Sequence, residues 1–370
     1  MAKAKEIAGL DCAMSAGDGI DLILRARFEE MCSYREAALE SGETEGIHDM
    51  RVASRRLRGA LKDFLPYLRR RKFKQAREDL RSVAHALGAV RDQDVALIAL
   101  EKLAEEAPPE LATGIEQFAR ARRHKRNGAR LRLEEALSED ALEKLRQDFQ
   151  EALEESLKIS RDASEDAQEI TDEAELHRVA REILDERLRD VQELSKGLFQ
   201  PFETVPLHEM RIAAKRLRYA LELFTPCLGE ALKPFCKEIA RMQDSLGELH
   251  DCDVWIVEIG TAPRETAEEK IDVESPGGKA QEGISSNDGA GAAEGGGDVE
   301  HQALFWLLDY FVKERTEHFR AALERWREWR ATGFQKRLVA AIHNQSNMAD
   351  LPANNSHAAK TVANIESHKS

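Results

Sequence analysis

The sequence says the same thing twice. Residues 47–66 read IHDMRVASRRLRGALKDFLP, and residues 207–226 read LHEMRIAAKRLRYALELFTP. At an offset of 160 residues, 11 of these 20 pairs are identical. A second phrase follows each copy at an offset of 159: LGAVRDQDV from Leu87 and LGELHDCDV from Leu246. Order and spacing are both kept, so duplication explains the match better than coincidence. A chain built this way is expected to fold as two similar halves about a pseudo-two-fold axis.

The periodicity around both phrases is helical. Apolar residues recur at three- and four-residue spacing, and no stretch alternates with period two, so strands are not expected. Helices are predicted over 21–40, from His48 to near Pro66, over 72–87, 90–107, 110–137 and 139–158, and again from Asp172 onward. Stops are expected at Pro201, Pro206, Pro226 and Gly229. This gives an all-α fold of two similar four-helix bundles, one over 17–160 and one over 170–337. Residues 261–298, rich in Gly, Ser and Ala, read as a disordered insertion looped out between two helices. Residues 344–370 read as a disordered tail.

On a helix advancing ~100° per residue, His48, Arg51, Arg55, Arg58 and Lys62 share an arc of roughly 80°. Met50, Ala53, Leu57, Ala60, Leu61 and Phe64 fall on the opposite face. The second copy repeats both faces. His208, Arg211, Lys215 and Arg218 form its cationic stripe, and Met210, Ala213, Leu217, Ala220, Leu221 and Phe224 its apolar one. Glu222 stands where the first copy has Lys62.

Charged faces are usually just solvated, but those mix signs to gain i,i+4 pairs. A stripe of one sign over about four turns repels itself unless an anion arrives. Further cations extend it: Lys74, Arg77 and Arg81 on the next predicted helix, Lys237 and Arg241 as their thinner counterpart, and Arg123, Arg126 and Arg130 after the double proline. If the two halves face each other, these stripes line a long cationic groove.

The whole chain is acidic, with a net charge of −14, which on its face argues against polyanionic partners. The distribution says otherwise. Between His48 and Arg81 there are 12 Lys/Arg and 4 Asp/Glu, so 12 − 4 leaves +8. From Ala119 to Arg132 there are 7 Lys/Arg and no acid. A basic site on an acidic body directs an anion to one place.

Arg offers planar bidentate donors and Lys a compact charge, both suited to phosphate oxygens. His48 and His208, at helix starts, can tune such a site near neutral pH. Nucleic acid is the second candidate ligand. Single-stranded recognition wants aromatic platforms among the cations, yet aromatics are 6% of the chain and only Tyr219 lies near the stripes. Major-groove readout wants amides that address base edges, and the stripes have almost none. A polyanion that is all phosphate fits better.

The LHDCDV stretch offers His250, Asp251, Cys252 and Asp253 as metal ligands, but the first copy has Arg91 and Gln93 in place of His250 and Cys252. What both copies keep is Asp92, Asp94, Asp251 and Asp253. These are expected to cap a helix or to orient arginines by ion pairing. A Mg²⁺-dependent phosphatase built on these aspartates is a third reading. No P-loop, HExxH or nucleophile elbow is present, and no cofactor is expected.

There is no apolar run long enough to span a membrane and no signal-peptide core at the start, so a cytoplasmic protein is expected. Five cysteines, an odd number without a CxxC, agree with a reducing compartment.

The duplicated motif resembles the CHAD family, the conserved-histidine α-helical domain, over residues 17–337. The resemblance implies an all-helical fold of two four-helix bundles and a basic groove that binds inorganic polyphosphate. It also implies targeting to polyphosphate granules without catalysis of its own. The family's His and basic positions fall on His48, Arg51, Arg55, Arg56, Arg58, His208, Arg211, Lys215, Arg216 and Arg218. The triphosphate-tunnel (CYTH) domain often fused to such proteins carries an ExExK motif, and this sequence has none. A stand-alone member that binds polyphosphate and is not an enzyme is therefore the expectation.

Overall fold

The computed structural model describes residues 4–40, 44–162, 176–273 and 291–343. Among these residues the chain is helical and contains no strand. The first half carries α1 (Ala16–Cys32), α2 (Arg35–Leu39), α3 (Thr44–Phe64), α4 (Lys74–Glu106), α5 (Ala112–Ala136) and α6 (Glu139–Asp162). The second carries α7 (Leu176–Leu194), α8 (Thr204–Leu228), α9 (Lys233–Val273), α10 (Gly291–Ala331) and α11 (Phe334–His343).

Several element bounds differ from the sequence expectation, for local reasons. The first helix begins earlier, because the Ser15 hydroxyl accepts the Asp18 N–H at 3.1 Å and caps it. It breaks at Ser33, whose hydroxyl turns back onto the Glu30 carbonyl. The helices expected over 72–87 and 90–107 are one helix, α4, which runs straight through Gly88. Leu87 and Val90 flank that glycine and are both fully buried, and this packing outweighs its poor propensity of about 1 kcal/mol.

Pro206 does not stop a helix. It lies in the first turn of α8, where its missing N–H has no partner to lose. Pro226 lies inside the last turn of the same helix, which ends instead at Gly229 with a φ of 99°. The insertion expected over 261–298 is narrower in the structure: α9 continues to Val273 and α10 begins at Gly291. Residues 274–290 and the tail from 344 lie outside the described residues.

One apolar core runs through both halves. It takes Ile23, Leu24 and Phe28 from α1, Met50, Leu57 and Phe64 from α3, Leu145 and Phe149 from α6, Leu184 from α7, Leu217 and Phe224 from α8, Ile239 from α9 and Leu338 from α11. The apolar faces predicted for the two repeated helices are buried as expected. A second core joins the far ends of α4, α5, α9 and α10. There Leu100, Leu103 and Ile115 meet Trp255, Ile259, Leu307 and Phe311, and the Trp255 and Phe311 rings stack at 4.8 Å.

The basic helices sit where the halves meet. α3 packs on α1, α2 and α4, α8 packs on α7 and α9, and α3 and α8 touch each other directly. Among the described residues no helix is long and apolar enough to cross a membrane.

The Cys12 and Cys227 sulfurs are bonded, tying the segment before α1 to the last turn of α8. The spacing does not suggest this pair, 215 residues apart, and the bond departs from the expectation that the cysteines are all reduced. Cys32, Cys236 and Cys252 are free thiols.

Candidate anion-binding groove

The start of α3 is set by glycine. A Cβ at Gly46 would lie 2.2 Å from the Ala37 carbonyl oxygen, so only glycine lets α2 and α3 come this close. At the other end, Phe64 of α3 and Phe224 of α8 meet edge-on with 6.2 Å between ring centroids. Charges of the two stripes also come close, since Arg51 and Arg55 of α3 act on Lys215 of α8.

Arg51, Arg55, Arg211, Lys215 and Arg218 form one cluster. Lys215 shows it most directly. Burial first, and then the charges of Arg211, Arg55, Arg51 and Arg218, push its amine down to about 7. Arg55 and Arg211 are likewise lowered, burial again the largest cause.

Counter-charge is thin. Asp92 takes Arg51 at 2.9 Å, Asp251 approaches Arg211 only to 4.0 Å, and Glu222 lies 3.5 Å from Arg218. The Nε of Arg55 is buried and has no protein acceptor. A buried guanidinium donor without a protein acceptor in a field of like charge is costly to hold in the folded state.

The two histidines lie near the starts of α3 and α8. His48 is held below its ordinary value by burial and then by Arg91 of α4. His208 is lowered by burial and then by Arg211 and Lys215. Its Nδ1 lies 3.2 Å from Nδ1 of His250 on α9, the two rings 4.3 Å apart. His250, pushed down to about 4 by burial and then by Arg211, was set aside in the sequence as a discounted metal ligand. The repeat did carry the signal, since His250 stands at the position of Arg91, another cation facing the repeated histidine.

The four aspartates of the repeated phrase lie inside α4 and α9, so none caps a helix. They orient arginines instead. Asp92 and Asp251 face Arg51 and Arg211, while Asp94 binds Arg126 of α5 and Asp253 binds Arg315 of α10, the latter at 2.6 Å. Among the described residues no group of three or more His, Cys, Asp or Glu is placed to hold a metal ion.

Other predicted site residues are distributed as follows. Arg58 and Lys62 continue the α3 stripe on the surface, Arg58 beside Arg81 of α4 and Lys62 beside Arg216 of α8. Arg56 points toward α1, 3.8 Å from Glu30, and shares a small cavity with Arg27, Asp63, Arg216 and Tyr219. Lys74, Arg77 and Arg81 are exposed along α4, as are Lys237 and Arg241 on α9. Arg241 lines an open cleft with Arg325 and Arg337.

The structure does not bring Arg123, Arg126 and Arg130 into the cluster. Arg123 holds Glu116 at 2.7 Å, Arg126 holds Asp94, and Arg130 binds Glu134 and the carbonyls that end α2.

An all-helical chain in which two basic helices, α3 and α8, touch defines a class, and comparison with known proteins gives it a name. The CHAD domain model matches residues 22–259, and the chain belongs to that family. Its fold is similar to the crystal structure of the CHAD domain from the plant Ricinus communis. That match has a TM-score of 0.62 at 21% identity and covers 86% of this chain and 95% of the other. It is also similar to PptA from Streptomyces chartreusis, with a TM-score of 0.56 at 15% identity over 85% of this chain and 99% of that one. At such identities the likeness is one of fold. No curated protein matches the sequence.

Proposed function

We propose that this chain binds inorganic polyphosphate along the groove between α3 and α8, and that it is a binding module rather than an enzyme. The observation that carries this reading is the Arg51–Arg55–Arg211–Lys215–Arg218 cluster, half-buried, poor in counter-charge, with the buried Nε of Arg55 unmatched. Like charges held together out of water destabilise the fold, so the cluster has a use only when an anion enters it. A linear phosphate chain fits a linear stripe. It can run from the cluster past Arg58 and Arg81 along the exposed cations of α4.

Family membership supports the same reading and extends it to polyphosphate granules in the cytoplasm. RNA is the competing ligand. Against it stands the shortage of stacking surface: Tyr219, the ring beside the cluster, already faces the Arg56 and Arg218 guanidinium groups at 5.9 and 5.2 Å.

A competition titration tests the proposal: labelled long-chain polyphosphate displaced by unlabelled polyphosphate, RNA or duplex DNA at several salt concentrations. Polyphosphate is expected to bind most tightly and to weaken steeply with salt through counterion release. RNA displacing polyphosphate, or binding that ignores salt, overturns the reading. Release of orthophosphate from polyphosphate in the presence of Mg²⁺ would overturn the non-enzymatic part alone.

A further inference from the structure

We infer that the His208–His250 pair is a proton-accepting contact of the polyanion site: a phosphate chain settling against it draws up to one proton from solvent onto the pair, so binding tightens as the pH falls below neutrality. This rests on the reading of the groove as a polyphosphate site, and deepens it.

The geometry sets the stoichiometry. Two imidazoles joined Nδ1 to Nδ1 at 3.2 Å need one ring to donate and the other to accept. The donating ring keeps a free Nε2 lone pair. One proton can be added there without disturbing the contact, and the ring–ring hydrogen bond becomes charge-assisted. A second proton would set two N–H groups face to face and break it. The pair as a unit therefore takes one proton at a time.

The charges facing the pair make it wait for a ligand. α8 contributes Arg211 and Lys215 against Glu209, while α9 contributes Asp251 and Glu248, with Asp251 drawn toward Arg211. α3 adds Arg51 and Arg55, which act on Lys215. On α10, Arg315 is held by Asp253 and Glu314 lies 3.6 Å from His318. The balance is positive, and with burial it keeps both rings neutral in the free protein near pH 7.

A phosphate chain reverses that field. The sign follows: the ligand favours the charged form, the complex holds more protons than the free protein, and affinity rises as pH falls. In the first half Arg91 takes the place of His250 opposite His48, so the histidine pair belongs to the second half alone.

Isothermal titration calorimetry of the full chain with long-chain polyphosphate, at pH about 6 in MES and in bis-Tris, reads proton uptake from the difference in buffer ionisation heat. At that pH Lys215, with its amine at about 7, is already mostly charged and adds little to the uptake. Measurable uptake of up to one proton per bound pair is expected. Binding without proton uptake overturns this inference and leaves the polyphosphate reading standing, whereas no binding in either buffer removes the reading itself.

His250→Arg supplies the second arm, since it gives this half the arrangement of the first. It is expected to bind several-fold more tightly than wild type at pH about 8 and to lose more than half of the uptake at pH about 6. Uptake unchanged in that variant assigns the proton to another group and overturns the proposal.

Discussion

Phe64 and Phe224 hold matching positions in the two copies of the repeat, and their rings meet edge-on at 6.2 Å. Residues 160 apart in sequence thus become neighbours, and α3 and α8 are pinned to each other by the same feature of each. The pin sits on the apolar sides, but the contact it fixes also brings charges of the two cationic sides within reach of each other. Arg55 and Lys215, also matched in the repeat, then feel each other's charge.

From this follows the most direct test of the groove. Arg55→Glu combined with Lys215→Glu should abolish polyphosphate binding while leaving helicity by circular dichroism unchanged. Losing two charge-assisted contacts, at roughly 1.5–3 kcal/mol each, amounts to at least about a hundredfold in Kd. Loss of helicity together with binding would mean that these cations serve the fold.

The same crowding predicts a conflict between binding and stability at Lys215. Its amine is lowered from 10.5 to about 7, with burial as the first cause. Between those two values the unfolded chain holds the proton and the folded chain does not, so stability rises with pH. The destabilisation is full below about pH 7 and is relieved as pH climbs toward 10.5. Lys215→Met should therefore raise stability at pH about 6, by on the order of a few kcal/mol, and the gain should shrink by pH about 9. Urea unfolding of both proteins at the two pH values measures it. An equal gain at both would place the effect outside Lys215 titration.

How much of this could be read in advance differs from residue to residue. The two faces of the repeated helices were legible because amphipathic periodicity records which side is buried. The ion-pairing role of Asp92 and Asp251 was legible because both copies keep the aspartates while the residues between them change. The continuity of α4 was not, since Gly88 reads as a break.

The space around this glycine is seen only in three dimensions. A Cβ at Gly88 would lie 3.8 Å from Nε of Arg51, and one at Gly247, its counterpart, 3.9 Å from Nε of Arg211. Both are ordinary contact distances, so the space beside these arginines does not itself require glycine. Arg123, Arg126 and Arg130 could not be excluded from the groove by spacing, because Arg126 and Arg130 find acceptors on other helices, at Asp94 and at the end of α2.

Gly46 gives a prediction of large size at a position with no role in charge. Alanine there places its Cβ 2.2 Å from the Ala37 carbonyl oxygen and 2.3 Å from its carbonyl carbon, both backbone atoms that no rotamer change can move. Helix propensity favours alanine by about 1 kcal/mol, but the clash forces α2 away from the first turn of α3. Gly46→Ala should lose roughly 1–3 kcal/mol in chemical unfolding, the usual range for overpacking. Gly59→Ala, on the same helix with nothing within 4 Å of the new Cβ, should be neutral or stabilising. Equal effects at the two sites would show that propensity alone decides.

The Cys12–Cys227 bond closes a loop of 215 residues, which in the chain-entropy picture stabilises the folded state by roughly 5 kcal/mol. It holds the segment before α1 in place, and the backbone near Cys12 in turn receives the first N–H groups of α7, with Leu176 donating to Met14 at 3.0 Å and His177 to Cys12 at 3.3 Å. A reductant should therefore lower the thermal midpoint of the wild-type protein and speed proteolysis ahead of α1. The Cys12→Ala, Cys227→Ala double variant should start from the lower midpoint and ignore the reductant. Mass spectrometry of the unreduced protein should find these two cysteines linked and Cys32, Cys236 and Cys252 open to alkylation after unfolding. Alkylation at Cys12 or Cys227 without reduction would show that the bond is not formed, and the midpoint would then owe nothing to it.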